Sequence, residues 1–146
     1  MVNMMEMRKF VLLAFIGAAV AAFLFRPGWL RAEGAGGDYP NLSPAESRDL
    51  IGKRAADGNF VLLDVRTPKE FQEERISGAV GIDFLSKTFR EELSKLDRGK
   101  TYLVYCRTGN RSNGALKVMK EEGFRDVYHL GGGITKWKEA GLPTVK

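Results

Sequence analysis

The chain has 146 residues, of which 44% are hydrophobic and 28% charged, and its formal net charge at pH 7 is +5. This length and composition fit one globular domain with a core of its own. Basic residues are not clustered with aromatic residues, which argues against a nucleic-acid-binding protein. A single cysteine excludes an intrachain disulfide, and one cysteine with one histidine argues against a zinc site or another metal centre.

The first 38 residues have the pattern of a targeting segment followed by a linker. Residues 10–25 form an uninterrupted apolar run preceded by two basic residues. As a helix, this run spans about 24 Å, which is shorter than the roughly 30 Å hydrocarbon core of a bilayer. We therefore predict that residues 1–27 are either a signal peptide or an N-terminal membrane anchor that exports the downstream domain to the periplasmic side of the membrane. The glycine-rich residues 28–38 are predicted to be a flexible linker.

Residues 39–146 form the predicted folded domain, in which helical and strand patterns alternate. Capping boxes with proline at the first helical position start two helices, one from Pro44 to about Asp57 and a shorter one at Thr67–Glu70. Amphipathic patterns predict three more helices at residues 87–96, 112–122 and 134–140. Short apolar runs predict strands at residues 60–65, 79–82, 101–105 and 126–130. This alternation is typical of an α/β sandwich with a mainly parallel central sheet.

Three polar segments follow strands of this predicted sheet. They are Asp64-Val65-Arg66, Cys106–Ser112 and Gly131–Gly133. Because parallel strands joined by right-handed crossovers end at the same edge, we expect these segments to meet where α/β sheets bind their ligands. The three glycines allow the backbone to approach the cysteine segment closely.

The only cysteine, Cys106, lies where a predicted strand turns into a helix. Oriented backbone N–H groups and a helix N-terminus create positive potential there, which lowers the pKa of a thiol below its usual value of roughly 8.5. Arg107 and Arg111 add positive charge. A buried structural cysteine is the alternative, but the glycine, two arginines and polar residues around Cys106 are wrong for an apolar pocket. We therefore predict a nucleophile that attacks an anion with an electrophilic centre, either a phosphoryl group or a sulfane sulfur.

The chain from about Tyr39 to Lys146 resembles a single-domain rhodanese, a thiosulfate:cyanide-type sulfurtransferase. The resemblance is carried by Asp64-Val65-Arg66, Glu70-Phe71, Ile76-Ser77-Gly78-Ala79, Cys106-Arg107-Thr108-Gly109-Asn110-Arg111-Ser112, and Leu130-Gly131-Gly132-Gly133-Ile134 with Trp137. It implies a three-layer α/β sandwich with helices on both faces of a mainly parallel sheet. It also implies that sulfane sulfur moves from thiosulfate or a similar small anionic donor, through a Cys106 persulfide, to cyanide or a thiol acceptor without a cofactor.

The resemblance also assigns roles to individual residues. Cys106 is expected to be catalytic. The loop after it is expected to bind the substrate through its N–H groups and charges; its members are Arg107, Thr108, Gly109, Asn110 and Arg111. Asp64, Arg66 and Ser112 are expected to support this loop. His129, at the end of a predicted strand, either tunes Cys106 or is simply a partly buried side chain.

Two alternative functions remain open at this point. Phosphatase-like enzymes on the same fold have arginine six residues after the cysteine, whereas this chain has Ser112 there and its arginine one residue earlier, at Arg111. The shorter loop suits a sulfur atom better than a phosphate, which leaves phosphatase or arsenate-reductase chemistry as the weaker enzymatic alternative. The non-enzymatic alternative is a membrane-tethered persulfide carrier or partner-docking module, tethered by residues 10–25 and delivering sulfur to a protein acceptor.

Overall fold

The structure is a computed structural model that describes residues 39–146. Strands and helices alternate along this part of the chain, as the sequence pattern predicts. The strands are β1 (Asn41–Leu42), β2 (Phe60–Asp64), β3 (Ala79–Gly81), β4 (Thr101–Tyr105) and β5 (Asp126–Leu130). The helices are α1 (Pro44–Arg54), α2 (Pro68–Glu73), α3 (Phe89–Ser94), α4 (Asn110–Glu121) and α5 (Gly133–Glu139).

The five strands form one parallel sheet with the order β1-β5-β4-β2-β3. Strand β4 lies at its centre, between β5 and β2, and all of its residues are buried. A central parallel strand is covered on both faces, which explains why Tyr102–Tyr105 is apolar without alternation. The carboxyl end of this strand leads directly into Cys106.

Side chains on the two faces of β4 belong to two separate cores. Tyr102 and Val104 pack with residues of α3 and α4, whereas Leu103 and Tyr105 pack with residues of α5 and α1. Successive strand residues point to opposite faces, so one strand contributes to both cores. The result is the three-layer α/β sandwich that the sequence predicts, and the predicted fold class is confirmed.

Several predicted boundaries were wrong by a few residues. Helix α4 begins at Asn110 instead of residue 112, because Gly109 adopts a left-handed conformation (φ 110°) and starts the helix within the polar loop. Helix α1 ends at Arg54 and not near Asp57, and α3 covers only Phe89–Ser94. The pattern did not predict β1, which is two residues long and is recognisable only by its pairing with β5.

The predicted signal or anchor at residues 1–27 and the linker at residues 28–38 lie outside the described residues. Among residues 39–146, no helix has both the length and the apolar content needed to cross a bilayer.

Helix α4 packs closely against the segment that follows β3. A Cβ atom on Gly114 of α4 would overlap the ring of Phe84, and Phe84 in turn meets Phe89 edge-on, with ring centroids 5.1 Å apart. Glycine at this position thus sets the approach of the helix that carries Ser112 to the rest of the domain.

We expect Gly114→Ala to destabilise the domain by about 1–3 kcal/mol, because the added methyl group overpacks the contact with Phe84. The matched control is Gly52→Ala in α1, where a Cβ would meet nothing within 4 Å. That variant should stabilise the domain by up to about 1 kcal/mol, because alanine favours the helix over glycine. Urea unfolding followed by circular dichroism measures both, and equal stabilisation by the two substitutions would contradict the proposed packing.

Candidate active site

The thiol of Cys106 lies at the bottom of the loop that joins β4 to α4. Cys106 is only 1% exposed, and its Sγ accepts a hydrogen bond from the backbone N–H of Gly109 at 3.0 Å. The hydroxyl of Ser112, in the first turn of α4, lies 3.3 Å from the same sulfur. The loop therefore folds around the sulfur atom, as expected for a nest of donors.

The first two carbonyl groups of this loop, those of Cys106 and Arg107, accept hydrogen bonds from α5. The N–H of Ile134 donates to the carbonyl oxygen of Cys106 at 3.0 Å, and the N–H of Thr135 donates to that of Arg107 at 3.1 Å. Gly133 has a φ of 61°, and a Cβ there would overlap the Cys106 carbonyl oxygen. The glycine segment thus approaches the loop closely, as predicted, and the first turn of α5 satisfies the loop carbonyls.

Opposing effects act on the pKa of the Cys106 thiol. Burial raises it, but hydrogen bonds from the Ser112 side chain and from the N–H groups of Ser112, Gly109 and Thr108 lower it. The net result is a pKa below the usual value for cysteine. Hydrogen bonds donated to the charged form favour the thiolate, which is the nucleophilic form of the residue.

Arg111 is held by Glu70 of α2. Its Nη1 and Nη2 atoms donate to the two carboxylate oxygens of Glu70 at 2.6 and 2.8 Å. Glu70 also accepts hydrogen bonds from the backbone N–H and the hydroxyl of Thr67, which completes the capping box of α2. Mainly because of Arg111, the pKa of Glu70 falls to about 2. Arg111 thereby ties the cysteine loop to α2, and its role in substrate binding stays a prediction.

Asp64 and Arg66 form a buried ion pair at the carboxyl end of β2. Arg66 donates to both carboxylate oxygens of Asp64, with Nη2–Oδ2 at 2.6 Å, and its Nη2 also donates to the carbonyl oxygen of Glu74. These bonds fix both ends of the segment from Arg66 to Glu74, and this segment contains α2. The pair therefore supports the cysteine loop indirectly, by holding the helix from which Glu70 reaches Arg111.

Of the other predicted loop residues, Arg107, Thr108 and Asn110 are exposed and Gly109 is buried, and the loop faces two different cavities. Thr108, Gly109 and Asn110 line a cavity of about 540 Å³ together with Lys117 and His129. Arg107 lines a cavity of about 250 Å³ on another side of the loop, where the charged neighbours are Arg66, Glu70, Glu73, Glu74 and Lys138. The structure thus brings all the predicted site residues to one end of the sheet but divides the loop surface between two cavities.

His129 joins the site through Ser112, a contact that the sequence pattern did not reveal. Its Nε2 lies 2.7 Å from the Ser112 hydroxyl oxygen, and the residue is 6% exposed. The partnership of Glu70 with Arg111 was also missed, because the capping box alone accounts for a glutamate at that position. Both contacts join residues far apart in the chain.

Comparison with known protein families gives a match that includes both the cysteine loop and the glycine turn. The model of the rhodanese-like domain matches residues 44–140. The chain belongs to the rhodanese-like family. Among solved structures, a rhodanese-related protein from Thermoplasma volcanium superposes with a TM-score of 0.61 at 30% identity, covering 73% of this chain and 98% of that chain. The predicted resemblance to a rhodanese is therefore confirmed for the domain.

Curated relatives connect this rhodanese-like domain to sulfurtransferases. Thiosulfate sulfurtransferase GlpE of Coxiella burnetii is 34% identical over 100 residues, which are 68% of this chain and 88% of GlpE. An uncharacterized protein of Synechocystis sp. is 43% identical over 86 residues, which are 59% of this chain but only 47% of that protein. The chain thus spans most of the length of GlpE but only about half the length of the Synechocystis protein.

We expect Glu70→Gln to destabilise the domain by about 1–3 kcal/mol at pH 7, because glutamine retains the capping box with Thr67 but loses the charge that holds Arg111. The pKa of Glu70 is lower in the folded state than its ordinary value of 4.5. Its contribution to stability is therefore complete above that value and is lost as the pH falls towards 2.

Unfolding free energies measured between pH 7 and pH 2 test this prediction. The difference in unfolding free energy between the natural protein and Glu70→Gln should shrink as the pH falls. Glu139→Gln is the control, because Glu139 pairs with Lys136 on the exposed surface of α5, and such a pair contributes less than about 1 kcal/mol. A gap that does not change with pH would show that the charge of Glu70 is not what stabilises the loop.

Proposed function

We propose that this rhodanese-like domain is a sulfurtransferase that moves a sulfane sulfur from thiosulfate, or a similar small anionic donor, to a thiol or cyanide through a Cys106 persulfide. The observation that carries the proposal is the surroundings of the Cys106 sulfur. The Gly109 N–H and the Ser112 hydroxyl point at it from within a small polar loop, and the pKa of the thiol lies below its usual value. Such a loop stabilises one negatively charged sulfur atom.

Two displacements at sulfur complete the proposed cycle. The Cys106 thiolate attacks the outer sulfur of thiosulfate, the S–S bond of the donor breaks, and sulfite leaves with the electron pair. The acceptor, as cyanide or a thiolate, then attacks the terminal sulfur of the persulfide and releases the Cys106 thiolate. The products are sulfite and either thiocyanate or a new persulfide, and neither step needs a cofactor.

The two loop arginines support different parts of this cycle. Arg107 is exposed at the edge of the loop, where its charge attracts an anionic donor. Arg111 is less exposed and holds Glu70, and the Cys106 thiolate is among the charges that raise its pKa. The same attraction favours the thiolate, so Arg111 assists Cys106 without having to touch the donor.

The engagement of Arg111 also favours sulfur over phosphoryl transfer. Its guanidinium already donates to both oxygens of Glu70. It would have to give up that bidentate pair to hold a phosphate in the same way. The short loop and this pairing together support a sulfur atom, and not a phosphate, as the cargo.

Mass spectrometry of the full-length protein after thiosulfate treatment tests the proposal. Because Cys106 is the only cysteine, a gain of one sulfur atom is assigned without ambiguity. We expect that gain, its removal by cyanide with release of thiocyanate, and no gain in Cys106→Ser, whose circular dichroism should match that of the natural protein. Absence of a sulfur adduct on the natural protein would contradict the enzyme and favour a partner-docking module.

We also propose that residues 1–27 export the domain to the periplasmic side of the membrane, as a cleaved signal or as an uncleaved anchor. The support is the apolar run at residues 10–25 behind two basic residues. N-terminal sequencing of the protein from separated cell fractions distinguishes the outcomes. A shortened N-terminus outside the cytoplasm indicates a signal, and an intact one in the membrane fraction indicates an anchor. An intact N-terminus in the cytoplasmic fraction would contradict export.

A further inference from the structure

The hydroxyl of Ser112 lies at a junction between three hydrogen-bonding groups. Its oxygen is 3.3 Å from the Cys106 sulfur, 3.0 Å from the carbonyl oxygen of Gly109 and 2.7 Å from Nε2 of His129. A serine hydroxyl has one proton to donate, although its oxygen can accept others. Ser112 therefore cannot donate to all three groups at once. The direction of its proton depends on which of the three groups accepts it.

We propose that His129 is a positioning residue that sets the reactivity of Cys106 by directing the proton of the Ser112 hydroxyl. When Nε2 of His129 carries a proton, it donates to the Ser112 oxygen, and the hydroxyl proton is free to point at the Cys106 sulfur. When Nε2 lacks a proton, it accepts from Ser112, and the sulfur loses that donor. The consequence for sulfur transfer rests on the proposed function, whereas the effect on the thiol does not.

The thiolate itself favours the productive arrangement. A charged sulfur is a stronger hydrogen-bond acceptor than the neutral carbonyl of Gly109, so ionisation of Cys106 draws the hydroxyl proton towards the sulfur. His129 must then present a proton on Nε2, which a neutral ring does in one of its two tautomers. The three side chains thus form a chain of hydrogen bonds, His129 to Ser112 to Cys106, that is complete only in the reactive state.

The surroundings of His129 suit this role. Its neighbours across the sheet are the uncharged Val104 on β4 and Asn41 on β1. The titratable groups near it are Lys117 of α4 and Tyr39 before β1, which line the same cavity, and Cys106 beyond Ser112. Burial lowers the pKa of His129, so the ring is mainly neutral at neutral pH. Its tautomer, and not its charge, then sets the direction of the bond to Ser112.

The test is the thiol pKa of the full-length protein, obtained from the pH dependence of the rate at which iodoacetamide alkylates Cys106. The chain has one cysteine and one histidine, so each measured effect has a single origin. We expect Ser112→Ala to raise the thiol pKa by roughly 1–2 units, the size of one lost hydrogen bond to a charged group. His129→Leu leaves the hydroxyl of Ser112 able to donate to the sulfur but removes the donor that orients and polarises it, so this variant should raise the thiol pKa by a smaller amount, roughly 0.2–0.7 unit. His129→Gln should stay close to the natural value, because its amide can donate from the position of Nε2.

A double-mutant cycle separates an effect through Ser112 from an effect through space. Ser112→Ala should raise the thiol pKa more than His129→Leu does, and adding His129→Leu to Ser112→Ala should cause no further rise. Thermal unfolding of each variant confirms that it is folded. The proposal would be overturned if His129→Leu raised the thiol pKa equally with and without Ser112, or raised it in neither background. It would also be overturned if the thiol pKa of His129→Gln were as high as that of His129→Leu.

The proposed function is tested separately from this inference. Alkylation uses no sulfur donor, so the cycle can succeed even if thiosulfate does not load Cys106. Where thiosulfate does load it, the acid limb of the pH profile of sulfur transfer should move with the thiol pKa in His129→Leu and not in His129→Gln. A His129→Leu profile with an unmoved acid limb would contradict the catalytic part of the inference.

Discussion

The orientation of the peptide groups between Cys106 and Gly109 is the constraint on which the site depends. The carbonyls of Cys106 and Arg107 face the first turn of α5, and the N–H of Gly109 faces the sulfur. A backbone segment cannot direct N–H groups inward unless its carbonyls have partners on the other side. The close approach at Gly133 supplies those partners, so the glycine turn and the cysteine loop form one structural unit although β5 and α4 separate them in sequence.

Electrostatic pairs secure the other side of the loop. The buried pair of Asp64 with Arg66 fixes the chain around α2, and Glu70 on that helix holds Arg111. Each carboxylate has a guanidinium partner with two hydrogen bonds, which offsets the cost of taking these charges out of water. The positive charge of Arg111 is therefore fixed in position before any substrate arrives. Such preorganised charge stabilises an anion without the cost of reorganising the protein.

The sequence was sufficient for the fold class and for the identity of the central thiol, because both depend on local patterns. The run at β4 and the polar segment after it place Cys106 at a strand end without any tertiary information. The predicted start of α4 was two residues late. Asn110 and Arg111 belong to the first turn of the helix but show no apolar periodicity, which is the signal on which the prediction depended. The contacts of Arg111 with Glu70 and of Ser112 with His129 depend on which strands are neighbours, and a single sequence does not contain that order.

The burial of the thiol has a chemical consequence under the proposed export of the domain. A low-pKa thiolate outside the cytoplasm meets oxidants, and oxidation beyond the sulfenic acid is irreversible in most proteins. Cys106 is 1% exposed, and the chain contains no second cysteine to form a disulfide with it. The loop thus combines burial, which by itself raises the pKa of a thiol, with a pKa below the usual value, because backbone N–H groups and the Ser112 hydroxyl donate to the sulfur and surround it closely.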